Sequence, residues 1–208
     1  MIRHGETAWN AERRLQGHTD IALNAEGERQ AAALAAALAG APIDAIVSSD
    51  LQRAHQTAQA LARRLALPLS TCAGLRERCY GGFEGMLYSE IEQRYPVEFA
   101  AWQAREVDSV MPPGVRTAES FRVFYQRCID TIGILAVQHA GQTLALVAHG
   151  GVLECAHRAA RNLPLDRPRD FAVKNASINR FRFHGGRLEL TSWGEVDHLQ
   201  ARALDELA

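Results

Sequence analysis

The sequence predicts an α/β fold built on a mostly parallel sheet, and three observations lead there. Short apolar runs at Ile43–Val47, Leu69–Cys72 and Thr143–Ala148 have the length of buried strands. Alanine- and leucine-rich stretches with helical periodicity lie between them. The two kinds alternate, and strand–helix–strand units of this kind close as parallel pairs with right-handed crossovers.

Only Met1 and Ile2 precede Arg3-His4-Gly5-Glu6-Thr7, so the first strand is unusually short or the chain starts a few residues late. Residues 8–23 read as loop, punctuated by Gly17 and Asp20. Asn24 is a helix N-cap, and Ala25–Ala39 is a helix with Leu34 and Leu38 one turn apart, stopped by Gly40 and Pro42. After the strand at 43–47, the cap-type residues Ser48, Ser49 and Asp50 introduce a helix from about Leu51 to Leu65. Its apolar face is Leu51, Ala54, Ala58, Leu61 and Leu65. A glycine-rich loop over 74–85 interrupts the alternation and carries Glu77 between two arginines. A helical insertion follows at about 86–116, anchored by Tyr95, Phe99 and Trp102. A long helix from about Ala118 to His139 leads to the strand at 143–148, which ends in His149-Gly150-Gly151. One more helix runs to about Asn162, and His184-Gly185-Gly186 joins two final strands as a hairpin. No linker or repeat divides the chain, so residues 1–208 read as a single domain.

Composition narrows the function. The 208 residues are 47% hydrophobic with a net charge of −1, which supports a full core and gives no field for nucleic acid or membrane. Every basic residue except Lys174 is arginine, a bias that suits planar oxyanions and equally suits a GC-rich genome. Cys72, Cys79, Cys128 and Cys155 have no paired spacing, and no signal peptide is visible, so a reducing, cytoplasmic setting is expected.

In an open α/β sheet, ligands bind beyond the carboxyl ends of the strands. Arg3 and His4 stand at one such end, His149 at another, Arg53 in the first turn after a third, and Glu77 beyond a fourth. This set supports phosphoryl transfer through a phosphohistidine. His4 attacks phosphorus as neutral imidazole, Arg3, Arg53 and His149 hold the nonbridging oxygens, and Glu77 supplies a proton to the leaving oxygen and later activates water. One charge pair at ~4 Å in an effective dielectric of ~20 gives roughly 4 kcal/mol before desolvation, so the arginines suffice and no metal is called for.

The same residues resemble the histidine phosphatase superfamily, which includes the cofactor-dependent phosphoglycerate mutases. The likeness rests on Arg3–Thr7 with Trp9-Asn10, Leu15-Gln16-Gly17, Ser48–Leu51 with Arg53 and Thr57, Leu75 with Glu77, and Tyr80 through Gly85. Glu119-Ser120, Ala148–Gly151 and His198-Leu199 continue it. The resemblance implies a three-layer α/β/α sandwich and phosphorylated His4, with Glu77 as proton donor. It also implies a phosphate pocket of Arg3, Arg53, His149 and Gly150, with Asn10, Gln16 and Gly17 beside it. The other six histidines, His18, His55, His139, His157, His184 and His198, are expected at the surface or in packing, with lining of the pocket the alternative for His18.

Mutases of the family carry histidine where Cys79 stands, lysine at Tyr88, an arginine pair in the insertion and Asn or Thr at Gly151. Here Arg105 and Arg116 stand apart, and His149-Gly150-Gly151 is the phosphatase form. Glu154 replaces an arginine common among relatives. The expectation is a metal-independent phosphomonoesterase acting on a small phosphomonoester, as monomer or homodimer. The alternatives are a phosphoglycerate mutase using 2,3-bisphosphoglycerate and a non-catalytic phospholigand-binding module.

Overall fold

The computed structural model describes residues 1–199 and Asp205. A six-stranded sheet runs through them in the order β3-β2-β4-β1-β5-β6. The strands are β1 (Ile2–Arg3), β2 (Ala45–Ser48), β3 (Leu69–Thr71), β4 (Leu144–Ala148), β5 (Ile178–His184) and β6 (Arg187–Glu195). β3, β2, β4 and β1 are mutually parallel, and β5 and β6 add an antiparallel hairpin at one edge. Gly185 and Gly186 both have positive φ, 56° and 75°, as a two-residue hairpin turn that follows the strand twist demands.

β4 shows why the middle strands read as continuous apolar runs. Ala145 and Val147 pack on one face with Leu34 of α2 (Ala25–Ala37) and Ala54, Ala58 and Leu61 of α3 (Gln52–Leu65). Leu146 and Ala148 pack on the other with Phe124, Cys128 and Ile132 of α6 (Phe121–Gln138) and Val152 and Cys155 of α7 (Gly150–Arg161). Side chains alternate across a strand, so a strand covered on both faces must be apolar at every position. Truncating a fully buried Leu here, such as Leu61, is expected to cost about 2–5 kcal/mol. These layers make the fold a three-layer α/β/α sandwich.

The departures from expectation are local. Residues 8–23 are not all loop: α1 (Ala8–Glu12) is nucleated by a reciprocal cap between Thr7 and Asn10. Ser48, Ser49 and Asp50 do not cap α3, whose N-cap position is Leu51. The Gln52 N–H donates instead to Asp20 Oδ1 at 2.7 Å, and Asp50 accepts from Arg76 Nε at 2.8 Å. α6 starts at Phe121 rather than 118, because Ser120 accepts from the Val123 N–H as its cap and Glu119 turns back to Arg127. The insertion supplies α4 (Tyr88–Arg94) and α5 (Pro96–Gln103) over a small core of Phe83, Ile91 and Met111, with Tyr95, Phe99 and Trp102 against it. Among the described residues no helix is long and apolar enough to cross a membrane.

Candidate active site

The cleft opens at the carboxyl ends of the parallel strands. It is lined by Arg3 at the end of β1 and His4 just after it, Asn10 from α1, Gln16 and Gly17 from the loop beyond, Arg53 from α3, and Glu77. His149 is fully buried beneath it, with its ring centroid 5.2 Å from that of His4 and the planes 60° apart. Of the residues singled out from the sequence, Arg3, His4, Asn10, Gln16, Gly17, Arg53 and Glu77 line this cleft and His149 lies beneath it, while Gly150 follows His149 as the first residue of α7.

His4 is held by its backbone and its ring. Its N–H donates to Ala148 O at 3.0 Å, and its carbonyl accepts from the Ala176 N–H at 3.1 Å and from Asn175 Nδ2 at 3.0 Å. In the ring, Nδ1 lies 2.7 Å from Gly5 O. A carbonyl oxygen only accepts, so Nδ1 carries the proton and Nε2 keeps the lone pair. The next residue packs too closely for a side chain: a Cβ on Gly5 would sit 2.6 Å from Gly27 O. The Gly5 N–H donates to Thr57 Oγ1 at 3.0 Å, which in turn donates to Arg53 O at 2.8 Å, tying the nucleophile's loop to α3.

Burial, then the charges of Arg53 and Arg3, push His4 well below the usual histidine pKa against the opposing pull of the Gly5 carbonyl. Burial, then Arg53 and His4, likewise push His149 well below it. Both rings are therefore neutral at pH 7, as a nucleophile needs to be. Among the described residues neither ring nitrogen of His149 meets a hydrogen-bond partner, although the ring is wholly buried. A polar group in that position gains from an oxyanion placed beside it.

The cations are anchored from behind. Arg3 Nη1 donates to Val173 O at 2.6 Å, and Arg53 donates through Nη1 to Thr19 O at 3.0 Å and through Nη2 to Gly17 O at 2.7 Å. Gly17 has φ 54°, and a Cβ there would lie 2.6 Å from Glu84 Cδ. Asn10 and Gln16 spend their carbonyl oxygens on Thr7, which leaves their NH₂ groups as the ends able to donate to an anion.

Glu77 is aimed by main-chain bonds. Its Oε1 accepts from the Arg78 N–H at 2.7 Å and its Oε2 from the Gly151 N–H at 3.0 Å. Arg76 is engaged with Asp50, and Arg78 with Glu119 O, so the flanking arginines serve the loop. His18 does not line the cleft, and its Nε2 instead donates to Glu77 O at 2.7 Å. Arg127 donates to Gly74 O, Arg76 O and Glu77 O while forming a bidentate pair with Glu119. Glu84 joins the two cleft loops by accepting from the His18 N–H, Thr19 Oγ1 and the Tyr80 N–H.

Sequence reasoning missed Arg127, Asn175 and the cleft-lining Arg13, Arg14 and Asp205. Thr57, Glu84 and Glu119 did carry a signal, as parts of the quoted motifs. Among the described residues no three His, Cys, Asp or Glu side chains converge as metal ligands would.

Comparison with known proteins agrees with this geometry. Residues 1–196 match the family profile "Histidine phosphatase superfamily (branch 1)". The chain is 37% identical over 203 residues to phosphoglycerate mutase-like protein 4 of Arabidopsis thaliana, covering 96% of this chain and 86% of that one. It is 32% identical over 205 residues to a metal-independent phosphoserine phosphatase of the same plant, covering 97% and 82%. The solved structure of Bacillus stearothermophilus YhfR superposes with a TM-score of 0.86 at 32% identity, covering 95% and 96%. The chain belongs to branch 1 of the histidine phosphatase superfamily.

Proposed function

We propose that this enzyme hydrolyses small phosphomonoesters through a phosphohistidine on His4, without a metal. The observation that carries the reading is the Nδ1–Gly5 bond, which presents the Nε2 lone pair of a neutral imidazole to a cleft that also holds Arg3, Arg53 and Glu77. In the first step Nε2 bonds to phosphorus while the ester oxygen departs with the proton of Glu77. In the second, water attacks the phosphohistidine, Glu77 takes the water proton, and orthophosphate leaves His4. Arg3, Arg53 and the His149 ring stabilise the charge spread over the equatorial oxygens in both steps. The four cysteines form no disulfide, which supports a reducing, cytoplasmic setting.

Mutase activity is the second reading, favoured by the mutase-like relative and by Arg13 and Arg14 at the cleft. Arg14, however, is engaged with Glu12 and Gly85 O, and Asp205 brings a carboxylate into the same cleft. That carboxylate offsets part of the arginine charge a second phosphate would draw on, which weakens retention of a bisphosphate. Phosphorus NMR of a phosphomonoester panel containing 2- and 3-phosphoglycerate, with and without the bisphosphate and a chelator, separates the readings. Orthophosphate accumulating faster than isomerisation, and unaffected by chelator, is expected. Bisphosphate-stimulated interconversion exceeding hydrolysis establishes the mutase, and binding without any turnover establishes a phospholigand module.

A further inference from the structure

Beside the catalytic cleft lies a second cavity, between the insertion and the starts of α6 and α7. Tyr80 lines both cavities, and Gly151, whose N–H holds Glu77, lines the second. The acid that meets the leaving oxygen therefore stands at the junction, and an alcohol bonded to that oxygen has the second cavity before it.

Its walls combine aromatic rings, Trp102 and Phe121, with three guanidiniums, Arg78, Arg105 and Arg169. Glu154 is the buried carboxylate among them, its side chain 8% exposed. Its Oε1 accepts from Arg105 Nη1 at 2.7 Å and from Arg158 Nε at 2.9 Å, and its Oε2 lies 4.0 Å from Arg169 Nη1. Burial raises the Glu154 pKa, but Arg105, Arg158 and Arg169 outweigh it and leave the group below its ordinary value. One negative charge thus faces three positive ones, with Arg78 a fourth cation near by and Glu106 at the exposed rim. A guanidinium has five donors, and the bond to Glu154 uses one of those on Arg105. The attraction of Glu154 for an incoming ammonium is already spent on its own arginines.

We propose that this cavity receives the alcohol part of the substrate and selects phosphomonoesters whose alcohol carries a second anionic group, with Arg105 and Arg169 as its donors and Glu154 setting the strength of the preference. The assignment rests on the hydrolase reading above. Arg105 comes from the insertion and Glu154 from α7, so the charge balance depends on a pair far apart in sequence.

Three esters with closely matched leaving oxygens test it: para-cresyl phosphate and its para-carboxymethyl and para-aminomethyl analogues. Wild-type kcat/KM is expected to favour the carboxymethyl ester over the cresyl ester by about tenfold, the scale of one charge-assisted hydrogen bond, and the aminomethyl ester is expected to be the poorest. Arg105→Met is expected to lower the carboxymethyl-to-cresyl ratio, and Glu154→Gln to raise it. Opposite shifts in two neighbouring variants are not produced by general loss of packing, and if the first variant fails to fold the second still decides the sign. A wild-type ratio at or below one, or a Glu154→Gln ratio that stays put or falls, overturns the assignment while leaving the hydrolase reading intact. Failure to turn over any of the three esters overturns the hydrolase reading and this assignment with it.

Discussion

Glu77→Gln separates proton donation from positioning. Both carboxylate oxygens accept from buried main-chain N–H groups, Arg78 at 2.7 Å and Gly151 at 3.0 Å. A glutamine offers one accepting oxygen and one NH₂, so one of those amides must face a donor. Leaving a buried donor unsatisfied costs about 1–3 kcal/mol, roughly 5- to 150-fold if it all falls on side-chain placement. Loss of the general acid costs a further factor of about 10²–10⁴. The two losses come apart with leaving group. An alkyl phosphate needs both functions, whereas para-nitrophenyl phosphate releases a stable phenolate and needs little protonation. Steady-state and burst kinetics of the variant on both esters should show formation of the phosphoenzyme slowed about 10²–10⁴-fold more for the alkyl ester. Equal losses on the two esters would refute the role of Glu77 as proton donor.

Two further outcomes are expected. Gly17→Ala places a Cβ against Glu84 at a backbone φ of 54°, so it should destabilise by about 1–3 kcal/mol and raise KM through Arg53, which Gly17 O holds; thermal melting and steady-state kinetics check both. The lowered pKa values of His4 and His149 mean that below about pH 6.5 the unfolded chain binds protons the folded chain refuses, so stability falls as pH drops through that value. Urea midpoints at pH 7 and pH 5 measure the slope, and His149→Gln should make it shallower.

Much of this was legible because sheet geometry converts sequence position into spatial position. Residues just past strand ends converge, so Arg3, His4, Arg53 and His149 could be placed together from the apolar runs before them. The apolar faces of α2 and α3 were legible for the same reason, since periodicity reports burial. What stayed hidden depends on contacts between distant segments. Asp50 looked like a cap but pairs with Arg76, and the amide it was expected to satisfy finds Asp20 instead. Arg127 lies in the middle of a helix and nothing local says that it grips three carbonyls of the Glu77 loop. The short α1 escaped because its five residues carry no periodicity, and its Thr7-x-x-Asn10 cap uses Asn where Glu or Gln is the usual partner.

Mass spectrometry of the enzyme quenched in alkali during turnover of a phosphomonoester, where the acid-labile P–N bond survives, tests the central claim most directly. A phosphoryl group carried on Nε2 of His4, absent together with turnover in His4→Ala, is the expected result. Unimpaired turnover in His4→Ala, or a phosphoryl group found on another residue, would contradict it.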